Sequence, residues 1–97
     1  MTLNAKTLES KVQSDIRKKL ERAGWKVLKV IQLSENGHPD LLCMREGVAV
    51  WIEVKRPGAE PRPLQLHRIN QHVANGFAAF YVDNANDEKI QNMLYNI

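Results

Sequence analysis

Ninety-seven residues with 43% hydrophobic content suit one domain with an adequate but not generous core, and Gly and Pro are too few for a fibrous or disordered chain. A net charge of +3, from 14 basic and 11 acidic residues, permits a polyanionic partner without demonstrating one. The lone Cys43 excludes an intramolecular disulfide and a cysteine-rich zinc site, and no apolar run suits a signal peptide or membrane span, so a soluble cytoplasmic protein is expected.

Thr7 is the expected cap of a first helix over residues 8 to about 23, stopped by Gly24. Leu8, Val12, Ile16, Leu20 and Ala23 form its apolar stripe, and Glu9 falls inside that stripe. A carboxylate there is costly unless a positive or hydrogen-bonding group meets it. The blander reading is an acid in the first turn, favoured by the helix dipole and close to solvent. Residues 26–33 follow as a strand with imperfect alternation, at or near a sheet edge. Ser34 to Gly37 supply a loop, and Gly37 and Pro39 restrict the backbone just before Asp40.

Two short strands, residues 41–45 and 48–55, are joined by Glu46-Gly47. In the second, Val48, Val50, Ile52 and Val54 share one face, and Ala49, Trp51, Glu53 and Lys55 the other. Glu53 and Lys55 thus point the same way, about 7 Å apart along the strand. An antiparallel hairpin brings Asp40 beside Glu53, and two acids flanked by a lysine suit a divalent cation and a hydrolytic water. The alternative is a solvated strand face laced by an ion pair worth at most about 1 kcal/mol. Trp51 on the same face argues for cover instead.

Residues 56–62 are too rich in Pro and charge for a buried element and form a loop bordering these polar groups. Pro63 opens a helix over residues 64–75, with Leu66, Ile69 and Val73 as its core stripe, Gln65 on its flank and Gly76 as its stop. Residues 77–82 are apolar enough for an interior strand. Asp83 or Asn84 caps a last helix that packs through Ile90, Met93, Leu94 and Ile97.

The order Pro39-Asp40, then Glu53-Val54-Lys55, resembles the PD-(D/E)xK nuclease superfamily. The whole run, with Glu9 and Gln13 early, Gly37-His38-Pro39-Asp40, Glu53-Lys55, Gln65 and Gly76, is similar to one branch, the VRR-NUC (virus-type replication-repair nuclease) domain. The resemblance covers most of the chain, so residues 1–97 are expected to be a single domain of this kind. It implies an α/β, restriction-endonuclease-like core: a mixed central sheet flanked by helices in the order α-β-β-β-α-β, here with an added C-terminal helix. It also implies a DNA endonuclease using Mg²⁺ or Mn²⁺. Asp40, Glu53 and the Val54 backbone carbonyl would be metal ligands, Glu9 a further ligand or the holder of a ligating water, and Gln65 a support for Lys55 or a water. Lys55 would orient the attacking water or stabilise the transition state; two adjacent carboxylates favour its charged form, which suits the electrostatic role over that of a base. Stand-alone members are associated with four-way junctions and with bacteriophages, which implies a homodimer acting in a bacterial cell or phage-infected host.

DNA contact falls to Arg17, Lys18, Arg56, Arg62 and Arg68, with Lys11, Lys19, Arg22, Lys26 and Lys29 adding to a basic surface, and to His38 if it reaches a phosphate. No helix-turn-helix, zinc-finger or RNA-binding motif supports reading of base sequence. The alternative function is a non-catalytic DNA-binding or protein-interaction module with the same fold, which divalent-metal titration would separate from an enzyme.

Overall fold

The computed structural model describes residues 4–95, which build α1 (Ala5–Arg22), β1 (Lys26–Lys29), β2 (Leu41–Arg45), β3 (Val48–Val54), α2 (Pro63–Ala74), β4 (Ala78–Val82) and α3 (Glu88–Tyr95). The expected order of helix, three strands, helix, strand and helix is the observed one. The strands lie in the order β1-β2-β3-β4, antiparallel from β1 to β3 and parallel between β3 and β4, with α2 as the crossover.

Helices cover both faces. Val12, Ile16 and Leu20 of α1 and Ile90 and Met93 of α3 pack with Val27, Leu41, Cys43, Val50, Ile52, Val54 and Val82 of the sheet in one core. Ile16, Leu20, Leu41, Ile52 and Ile90 are wholly buried, each worth roughly 1.5–3 kcal/mol. Trp25 joins them and donates its indole N–H to the Met93 carbonyl at 3.1 Å, so its one polar atom is satisfied inside the core. The opposite face belongs to α2, whose His72 ring stacks on Trp51 of β3 at 4.2 Å between centroids.

The hairpin turn follows its sequence. Glu46 and Gly47 both have positive φ, 49° and 82°, as a two-residue type I′ turn requires, and it fixes Arg45 opposite Val48. Since the side-chain period is two, that register sets which residues of β2 and β3 face each helix layer.

Several local expectations are corrected. Asn4, not Thr7, caps α1, its side-chain oxygen accepting from the Thr7 N–H at 2.8 Å. The first strand stops at Lys29, and residues 30–39 leave the sheet as a loop. Only Ile69 of the expected α2 stripe is buried; Leu66 and Val73 are exposed. β4 is an edge strand and not an interior one, because the crossover places it outside β3. Asp87 performs the capping expected of Asp83 or Asn84, its side chain accepting from the Lys89 N–H at 2.8 Å. Ile97 lies outside the described residues.

Candidate active site

Topology gathers the polar residues at one end of the sheet. β2 begins where β1, β3 and β4 end, because β2 runs opposite to all three. The tight link through Ala23 and Gly24 turns α1 back along β1, so its N-terminal turns, with Glu9, lie toward that same end. α2 starts there as well, because it returns antiparallel to β3 and β4. Asp40, then Glu53, Lys55 and Arg56, then Arg62 and Gln65, are thereby collected from three separate segments.

Leu41 pairs with Ile52, so one step further along the register Asp40 comes opposite Glu53, as the hairpin argument expects. The Asp40 carboxylate accepts from the Val54 N–H at 2.9 Å, which fixes it against the end of β3. The Val54 carbonyl projects to the same side of its strand as the N–H, toward the gap where β2 has ended. Glu53 is 1% exposed and Lys55 9%, which excludes the solvated strand face. The Lys55 ammonium lies 3.4 Å from Glu53 Oε2, while Glu53 Oε1 is buried without any hydrogen-bond partner among the described residues.

An unpartnered carboxylate oxygen beside a second carboxylate is costly while charged, and the cost is relieved by a proton or by a cation. Two carboxylates and a carbonyl suit a hard ion that retains several waters, as Mg²⁺ does. Among the described residues no group of three or more His, Cys, Asp or Glu side chains is gathered for a metal, so Glu9 does not complete a triad with Asp40 and Glu53. It is half-buried and makes neither hydrogen bond nor ion pair among the described residues.

The Glu53 carboxyl is pushed up to about 8, chiefly because burial disfavours its charged form; the neighbouring Asp40 adds to this and Lys55 offsets part of it. The folded, metal-free protein therefore keeps a proton that the unfolded chain loses in the ordinary carboxylate range, and stability falls as pH rises toward about 8. His72 acts in the opposite sense lower down. Burial, then the charge of His38, depress its pKa below 6.5, so protonation below that pH costs stability. The interval from 6.5 to about 8 isolates Glu53. In chelator, the melting temperature should fall across that interval and Glu53→Gln should flatten the fall. A slope that survives Glu53→Gln would contradict the assignment.

Other expected site residues are placed differently. Gln65 spends its side-chain oxygen on the Arg62 backbone N–H, at 2.8 Å, closing the first turn of α2, and makes no hydrogen bond to Lys55. His38 does not offer a free ring to phosphate: its Nε2 meets Glu35 Oε1 at 3.1 Å and its Nδ1 meets His72 Nε2 at 3.0 Å. Nor is Arg68 a free cation. Its Nε donates to the Asn36 carbonyl at 2.9 Å and its Nη1 lies 3.4 Å from Glu35, with the side chain mostly covered. Arg17 faces Glu21 at 3.8 Å, and Lys19 donates to Asn86 at 2.7 Å. Lys18, Arg56 and Arg62 are exposed and have no ion pair among the described residues.

His72, Glu35 and Trp51 are the neighbours that sequence reasoning left unassigned. Glu35 and His38 are three apart in a loop and carry a weak local signal, but His72 lies 34 residues away and none points to it.

The chain is similar to a solved structure described as a VRR_NUC domain, with 26% sequence identity, a TM-score of 0.76, and coverage of 91% of this chain and 95% of that one. No family model matches, and no curated protein does.

Proposed function

We propose that this chain, which belongs to the VRR-NUC family and has its restriction-endonuclease-like core, is a divalent-metal-dependent deoxyribonuclease. The observation that carries this reading is the buried Glu53, one oxygen toward Lys55 and the other unpartnered, opposite Asp40. Asp40, Glu53 and the Val54 carbonyl would hold Mg²⁺ or Mn²⁺, which when bound neutralises phosphate charge and acidifies water. Glu53 holds the Lys55 ammonium in one place, where it meets the charge that develops on the phosphoryl oxygens during displacement. Arg56 and Arg62 border the site and take the flanking phosphates, which positions the strand without reading its bases. Glu9, toward the same end of the molecule, orients water from the α1 side.

The preferred substrate is branched DNA such as a four-way junction, and the active form is a homodimer. A single centre cuts one strand, whereas two centres related by a two-fold axis match a two-fold branch. A second copy has a surface to cover. The free edge of β4 borders a groove of about 470 Å³ lined by Leu66, Ile69, Ala79, Phe80 and Tyr81 and also by Glu60, Asp83, Asp87 and Lys89, and Val73 and Phe77 are exposed on α2 and at the approach to β4. An open strand edge of this mixed character offers backbone pairing to a second copy.

A panel of duplex, flap and four-way junction DNAs tests the reading, each with Mg²⁺, Mn²⁺ or chelator, alongside light scattering. Cleavage that needs metal and favours the junction, by a particle twice the 11.1 kDa chain mass, is expected. DNA binding with no cleavage in either metal would reduce the protein to a binding module. An 11.1 kDa particle nicking one strand at every concentration would remove the dimer.

A further inference from the structure

We propose that Ile31 and Leu33 form an apolar wedge that enters an opened base step or branch point beside the scissile phosphate, and so selects branched over continuous duplex DNA. The inference rests on the nuclease reading above and names the feature of the substrate that the site prefers.

Position is the first reason. The Val30 N–H donates to the Asp40 carbonyl at 2.7 Å, so the loop of residues 31–39 leaves and rejoins the sheet at the acidic residue itself. Ile31 begins one residue from that bond. The loop stands at the β1 edge, while Arg56 and Arg62 lie in the segment after β3, so the acidic pair sits between an apolar border and a basic one.

Exposure is the second reason. Ile31 is 87% exposed, far more than any other large aliphatic among the described residues, and Leu33 beside it is 47% exposed, level with Val48, Leu64, Leu66 and Val73. Single exposed aliphatics are ordinary, but this pair, spaced by one residue, lies in a span held on both sides, by the Val30 N–H before it and by residues 35–38 after it. Arg68 holds Asn36 and Glu35, His38 joins Glu35 to His72, and Gly37, at φ 85°, lies so close to Leu64 that an added Cβ would fall 2.7 Å from its Cγ. A short span anchored at both ends that presents its aliphatics to solvent is suited to insertion, since an unstacked base step is filled by an apolar side chain. Opening costs least where pairing is already broken, so an apolar wedge discriminates in favour of branch points. The surface available to a second copy, around β4 and α2, is at the other edge of the sheet.

The test places 2-aminopurine beside the branch point of a four-way junction and compares the parent with an Ile31→Ser/Leu33→Ser double variant, with melting temperature as the check on folding. For the fluorescence, both carry Glu53→Gln, so that DNA is bound without turnover; cleavage is read without that change. Binding by the parent should raise the fluorescence roughly threefold, and the double variant should leave it near the free-DNA value. The ratio of junction to duplex cleavage should fall about fivefold or more in the double variant. An unchanged ratio with unchanged fluorescence would overturn the wedge while leaving the nuclease assignment standing. A double variant whose particle mass halves would also overturn it, by making the pair a subunit contact. Failure of the parent to cleave any DNA in either metal is read without the variants, and it would remove the nuclease reading and the wedge together.

Discussion

Replacing Glu53 by Gln is expected to lower DNA cleavage by about 10³-fold or more, because charge stabilisation at such a site is worth several kcal/mol and each 1.4 kcal/mol is tenfold. The same variant should remain folded and, in chelator near pH 8, be no less stable than the parent. Glu53 is a poor structural residue. It is 1% exposed, faces Asp40, and leaves Oε1 unpartnered, so its charged form is costly in the fold; a proton relieves that cost in the metal-free protein, and a bound cation would do so in its place. A neutral isostere removes that cost together with the ligand. Asp40→Asn should be comparably inactive and is a cleaner test than Asp40→Ala, because a side-chain oxygen remains to accept from the Val54 N–H. Lys55→Met should lose about 10²-fold or more, in the range seen when a preorganised transition-state donor is removed. Glu9→Gln should impair turnover by less. Gln65→Ala should show mainly a small loss of stability, since its oxygen caps α2. Single-turnover cleavage at saturating protein and matched metal measures all five. Parent-like cleavage by Glu53→Gln would sink the site assignment, and loss of activity in Gln65→Ala as deep as in Asp40→Asn would restore Gln65 to the chemistry.

The site was legible where its geometry is local and hidden where it is tertiary. Alternation along β3 put Trp51, Glu53 and Lys55 on one face, and a two-residue turn at Glu46-Gly47 carried Asp40 back toward Glu53; both depend only on period and turn type. The fates of Gln65, His38 and Arg68 depend on which neighbour reaches them first. Gln65 is taken by an N–H three residues earlier, His38 and Arg68 by contacts across 34 and 32 residues. No spacing rule separates a glutamine that steadies a lysine from one that closes a helix. The same limit explains the strand expected over residues 26–33. Its apolar content is right for a strand, but after Lys29 the chain departs to form the loop whose aliphatics stay in solvent. β4 was misplaced for a different reason: an apolar run signals burial on its faces and not a position between two strands.

Association with DNA is expected to weaken roughly 10²-fold between 50 and 200 mM salt, the change that follows from about four phosphate contacts at a slope near −0.9 per contact. Four counts Arg56, Arg62 and Lys18 with Lys55 at the centre; Lys6, Arg22, Lys26 and Lys29 are also exposed without an ion pair among the described residues, and contact with any of them would steepen the slope. Arg68 is held by Asn36 and Glu35, Arg17 faces Glu21, Lys11 faces Asp15 and Lys19 is bonded to Asn86, so the basic surface is smaller than the 14 basic residues imply. Arg56, Arg62 and Lys18 are exposed without an ion pair among the described residues, and the buried Lys55 adds one charge at the centre. Arg56→Glu/Arg62→Glu should therefore cost the largest part of the affinity and flatten the logarithmic salt slope by about two contacts' worth. Arg68→Glu should act through the loop it fastens, lowering melting temperature more than it changes that slope. Binding should depend little on base sequence, because phosphate contacts position the duplex and carry no sequence information. Fluorescence anisotropy over a salt series, on two unrelated sequences of equal length and shape, makes the measurement. A slope that Arg56→Glu/Arg62→Glu leaves intact would move the DNA path away from the loop after β3. Salt-insensitive binding to one sequence alone would contradict an electrostatic, structure-selective mode of recognition.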